Sequence, residues 1–127
     1  MTTDPGDAIR GRAPHVLEAY REIRETVLAS GVIEPELKDL CARYLAGDDD
    51  VVGHAADPAR FDERQRAALA WTDAIAWDSE RADDALWRRL HAAFTEPELV
   101  ELGYSVAITL GQQHWLATRR VIETPPA

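Results

Sequence analysis

The chain has 127 residues, enough for one domain to bury a core without disulfides or a structural metal. Hydrophobic residues make up 46% and charged residues 29%, which excludes a disordered composition. Acidic residues outnumber basic ones 23 to 14, for a net charge of −9, so neither nucleic acid nor an anionic membrane is an expected partner.

The first seven residues are acidic and lack an apolar run, and the run Leu99 to Leu110 is broken by Glu101 and too short to span a bilayer. These features lead us to expect a cytoplasmic protein. One domain is expected over 1–127, with flexible ends at about 1–12 and 122–127. The single cysteine, Cys41, permits no intrachain disulfide and no multi-cysteine metal site.

Taken in chain order, the apolar positions Val16, Leu17, Tyr20, Ile23, Val27 and Leu28 recur at helical spacing and predict a helix over 13–29, closed by Gly31. A second helix is predicted over 35–46, with Pro35 in its first turn, Gly47 after its end and Leu37, Leu40, Cys41, Tyr44 and Leu45 on its apolar face. The stretch 47–60, with three consecutive aspartates, Gly53 and Pro58, reads as a loop with one short turn at most. Asp62 and Gln65 form a capping-box pattern for a third helix ending near Trp77, whose inner face is Ala68, Leu69, Thr72, Ile75 and Ala76.

Asp83 caps a short fourth helix with Leu86, Trp87, Leu90 and Phe94 as its stripe. Thr95-Glu96-Pro97-Glu98 is the clearest start signal in the chain and opens a long fifth helix to about Arg120. That helix is apolar on two sides: Leu99, Leu102, Val106, Ala107, Leu110 and Ala117 on one, Val100, Tyr104, Ile108 and Trp115 on the other. A second apolar side predicts burial by another subunit. The expected architecture is therefore an all-α, compact bundle of about five helices that forms a homo-oligomer.

Two segments carry a family resemblance. The first is Gly31-Val-Ile-Glu-Pro-Glu-Leu-Lys-Asp-Leu-Cys-Ala-Arg-Tyr-Leu-Ala46. The second runs from Phe61-Asp-Glu-Arg-Gln-Arg-Ala-Ala-Leu69 through Phe94-Thr-Glu-Pro-Glu-Leu-Val-Glu-Leu102 to Gly111-Gln-Gln-His-Trp-Leu116. In order and spacing they resemble the carboxymuconolactone decarboxylase and alkylhydroperoxidase D-like family of small all-helical homo-oligomers. Its thiol members carry Cys-x-x-Cys, followed four residues later by His, on a helix that has no room in 47–60. The resemblance therefore implies the fold without the peroxidase activity, because a lone cysteine cannot both attack a peroxide and resolve the sulfenic acid.

What remains is a cofactor-free protein acting on a small organic molecule by acid-base chemistry or, alternatively, a non-catalytic helical oligomer or small-molecule binding module. Asp39 aligns with the proton-relay glutamate of the thiol members, although it lies off the apolar stripe beside Lys38. His114, on the inner line of the fifth helix, is the natural acid-base candidate. Tyr44, Tyr104, Gln112, Gln113 and Trp115 are candidate substrate-binding groups, and can equally satisfy polar groups at a subunit interface. His54 falls in the shortened loop off the family spacing, and Cys41 reads as a small core residue. No metal-ligand pattern is present, and the tryptophans at 71, 77, 87 and 115 read as core or interface anchors.

Overall fold

The computed structural model describes residue 4 and residues 6–118. Among these, seven α-helices and no strand occur: α1 (Asp7–Arg10), α2 (Pro14–Ile23), α3 (Pro35–Leu45), α4 (Asp49–Val52), α5 (Glu63–Trp77), α6 (Asp84–Ala93) and α7 (Glu96–Ala117). The five predicted helices correspond to α2, α3, α5, α6 and α7. The single-turn helix α4 sits in the stretch expected to hold at most one turn. The expected flexible tail at 122–127 lies outside the described residues.

Local hydrogen bonding sets the helix starts where the sequence placed them. Asp62 accepts from the Gln65 N–H at 2.8 Å while the Gln65 side chain accepts from the Asp62 N–H at 2.9 Å. The same reciprocal pair joins Thr95 and Glu98, and Asp83 accepts from the Leu86 N–H. Each satisfies donors that the first helical turn leaves without partners.

The core lies between α3, α5, α6 and α7, where Ile33, Leu37, Leu40, Cys41, Leu69, Leu86, Leu90, Leu99, Leu102 and Val106 form one buried cluster, with Val51 of α4. Alanines at 67 and 68, both fully buried, let α5 run close to its neighbours.

The N-terminal part holds two features that the sequence reading does not include. The segment expected to be a flexible end contains α1, and its Arg10 is only 3% exposed. The helix predicted over 13–29 runs without a break over 14–28 but changes its winding: α2 passes into a π-helical turn over Arg24–Leu28, where the Ala29 N–H reaches back to the Arg24 carbonyl. The cause lies in α3. Lys38 is buried, donates from Nζ to the carbonyls of Val27 and Ser30 and pairs with Glu101 at 3.0 Å. Those carbonyls are drawn toward the amine, and the chain then turns at Gly31, whose φ of +107° suits glycine. The Glu101 carboxylate also accepts from the N–H groups of Val32 and Ile33, so one buried ion pair sets the α2–α3 connection.

The predicted two-sided burial of α7 is half realised within the chain. Leu99, Leu102 and Val106 are buried, whereas Val100 is 70% and Tyr104 56% exposed. Ala107, grouped by the sequence with the inner side, is exposed too, because a straight 3.6-residue period carries it around the helix away from Val106. Among the described residues no helix is long and apolar enough to cross a membrane.

Candidate functional site

A half-open cleft of about 420 Å³ with charged walls lies between α3, α5, α6 and the turn after α4. Helix α5 supplies Glu63, Arg66, Ala70 and Asp73 from one face, at spacings of 3, 4 and 3 residues, with Leu69 as the floor. Tyr44 comes from the last turn of α3, Arg89 from α6, and Ala55 and Ala56 from the turn after α4.

At one end the Tyr44 hydroxyl donates to Asp73 Oδ1 at 2.8 Å, and Arg81 holds Oδ2 at 2.6 Å. Burial, followed by the hydrogen bond to the Asp73 carboxylate, pushes the Tyr44 phenol up to about 12. Tyr44 is thus a fixed hydrogen-bond donor at neutral pH. At the other end Glu63 bridges two guanidinium groups, Arg89 at 2.7 Å and Arg66 at 3.3 Å, so that wall carries an excess of one positive charge. Arg66 is braced by donating to the Phe61 carbonyl.

Of the residues singled out in the sequence, only Tyr44 lines this cleft. Asp39 is exposed on α3, and His114 is exposed on α7 instead of lying on its inner line. Tyr104 is exposed as well. Gln113 donates to the Ala42 carbonyl, Gln112 accepts from Arg10 at 2.6 Å, and the Trp115 ring lies 5.2 Å from the Arg10 guanidinium. Gln112 and Trp115 thus belong to a separate, smaller cavity of about 270 Å³ beside Arg10, Val16 and Tyr20. His54 is half-buried in the turn after α4 and does not line the cleft.

Asp73, Arg66, Arg89 and Glu63 were not singled out in the sequence. A signal existed on α5, where polar residues at 63, 66 and 73 share a face, but the stronger Ala/Leu stripe of the same helix masks it.

Cys41 is 2% exposed in the core, and burial pushes its thiol up to about 11. A thiolate, the nucleophile in peroxide reduction, does not form there at neutral pH. Among the described residues no three His, Cys, Asp or Glu side chains are grouped so as to hold a metal. A third cavity, about 470 Å³ and largely apolar, is lined by Trp71, Trp87, His91, Leu99 and Val100. Trp71 and Trp87 pack there with centroids 5.7 Å apart and ring planes tilted by 51°.

Fold and site together define an all-helical protein with a half-open, arginine-flanked cleft. No protein-family model, no curated protein and no solved structure matches the chain.

Proposed function

We propose that this chain is a cofactor-free, non-redox relative of the carboxymuconolactone decarboxylase and alkylhydroperoxidase D-like proteins, and that its cleft binds a small organic anion. The observation that carries the reading is the cleft itself. A carboxylate entering it meets Arg66 and Arg89 at one end, while the body of the ligand rests on Leu69, Ala55 and Ala70 and a polar group reaches Tyr44 at the other. The family part rests on the resemblance of the 31–46 and 61–116 segments and on the burial of Cys41. It includes self-association, supported by the exposed apolar side of α7.

The test is a titration of the native protein with benzoate and with uncharged benzyl alcohol, followed by backbone amide shifts. Benzoate is expected to move residues 44, 55, 56, 66, 70 and 89, and Arg89→Met to abolish the effect. Absence of shifts at millimolar benzoate, or equal shifts with benzyl alcohol, sinks the reading.

A second reading, proton transfer, is favoured by the Tyr44–Asp73 pair: the Tyr44 hydroxyl would turn from Asp73 Oδ1 to donate to a substrate carbonyl, and the carboxylate oxygen so released would take the α-proton. It predicts faster exchange of the α-hydrogens of levulinate for deuterium in heavy water, lost in Asp73→Asn. Levulinate that binds without accelerated exchange leaves the cleft a binding site only.

A further inference from the structure

The outer face of α7 is occupied by nothing within the described residues. From Val100 onward its exposed residues are Val100, Tyr104, Ala107, Gly111, His114, Ala117 and the capping Thr118, and all but Ala117 fall on one stripe, at intervals of 4, 3, 4, 3 and 4. That alternation is the 3.5-residue repeat of a helix seam that packs against another helix. The stripe is about 27 Å long at 1.5 Å per residue. In a chain of net charge −9, the 17 residues from Leu102 to Thr118 include no Asp, Glu, Lys or Arg. Ile108 and Leu110 flank the stripe, half-buried, and its N-terminal end at Val100 opens onto the apolar groove at Trp71 and Trp87.

We infer that this face docks on the same face of a second copy, antiparallel, about a two-fold axis between Ala107 and Gly111. The inference rests on the self-association proposed above and specifies its surface and register. In this register Ala107 lies against the partner's Gly111, Tyr104 against the partner's His114, and Val100 against the partner's Thr118. All six stripe residues are thereby used. The two smallest meet at the axis, where a side chain at Gly111 would find open space, so the backbones approach closely there. The larger side chains meet on either side of it.

Charge decides the direction. Glu98 and Glu101 are paired within the chain with Arg64 and Lys38, which leaves Glu96 as the exposed acid in the first turns of α7, and its C-terminal end leads in sequence into Arg119 and Arg120. Antiparallel order sets an acidic start against the end that leads into those bases, and opposes the helix dipoles. A parallel pair would align like charges. A second copy suits the face because an isologous contact needs one self-complementary patch, which the small centre and larger flanks supply.

The experiment uses the full chain. Light scattering is expected to show a dimer, or a larger assembly built from dimers, at micromolar concentration. Ala107→Glu, at an exposed position, is expected to keep the native helical circular-dichroism spectrum and weaken self-association by roughly a hundredfold or more, since two carboxylates are then held close to each other on either side of the axis. An Ala107→Cys chain mixed with a Gly111→Cys chain is expected to give a mixed disulfide dimer faster than either alone, with Cys41 shielded in the core. A native chain that is monomeric at these concentrations overturns both the self-association and this surface. Oligomers that persist in Ala107→Glu, or Ala107→Cys chains that link only to one another, overturn the surface or its register while self-association stands. Benzoate binding at the cleft is read separately and is untouched by either result.

Discussion

The α3, α5, α6 and α7 group and the N-terminal layer of α1 and α2 are held by different forces, although both are built from amphipathic helices. The group is apolar within: α5 alone buries Ala67, Ala68, Leu69, Thr72 and Ala74. The layer buries no residue of α2. It is tied down by Arg10 and Arg24, which pair with Asp4 and Asp7, by Arg10 bonding to Gln112, and by Arg10 stacking 3.8 Å from the Tyr20 ring centroid. Helix α2 has the cleaner apolar stripe, so a stripe is enough to form a helix. A second stripe facing it is what buries it.

The Lys38–Glu101 pair joins the two regions, and breaking it has the largest expected effect. Glu101→Ala leaves the Lys38 amine without its carboxylate and frees the N–H groups of Val32 and Ile33. A loss of about 3–5 kcal/mol is expected in urea unfolding, and a loss below about 1 kcal/mol would mean that solvent reaches the amine. Leu69→Ala, at a site with no exposure, should cost about 2–5 kcal/mol, whereas Val16→Ala on the 44% exposed stripe of α2 should cost under about 0.5 kcal/mol. Equal losses would erase the distinction between the regions.

Arg10→Met sharpens it. A loss of about 1–3 kcal/mol is expected to appear as faster amide exchange in residues 7–28, with α5 and α7 protection unchanged. Protection lost evenly along the chain would show that the layer and the apolar group unfold together. The smallest effects are those of pH and salt. Burial works against the Glu101 carboxylate, but the Ile33 N–H, Lys38 and the Val32 N–H outweigh it and hold Glu101 below its ordinary value of 4.5. Asp7 is held low chiefly by Arg24. For both groups the stabilisation is fully present above the ordinary carboxylate range and is lost as pH falls through the depressed folded value. Added salt should lower the protection of residues 7–28 at neutral pH more than that of α3, because the outer ion network is screened and the Lys38–Glu101 pair is not. A uniform salt response across both regions would contradict this.

Legibility followed the range of the interaction. The caps at Asp62, Asp83 and Thr95 and the stop at Gly31 could be read directly, since each involves groups a few residues apart. The candidate site was mostly hidden. Tyr44 and Asp73 are 29 positions apart and meet only because α3 and α5 pack side by side. Lys38 took no part in the sequence reading beyond standing beside Asp39, yet its amine is consumed by carbonyls eight and eleven residues earlier and by Glu101. His114 looked internal because it follows Leu110 by four residues, but Leu110 itself is only half-buried.

The sequence by itself determined that this chain is helical, where its five long helices begin, and that one cysteine is too few for dithiol chemistry. Helix hydrogen bonds, caps and apolar periodicity act over a few residues and are written locally. Only the tertiary structure decided which side of α7 stays bare, that Cys41 is shut in the core, and which charges line the cleft. Those depend on helices distant in sequence meeting at a particular rotation, and a turn of one residue about a helix axis, roughly 100°, is enough to exchange a core position for a surface one.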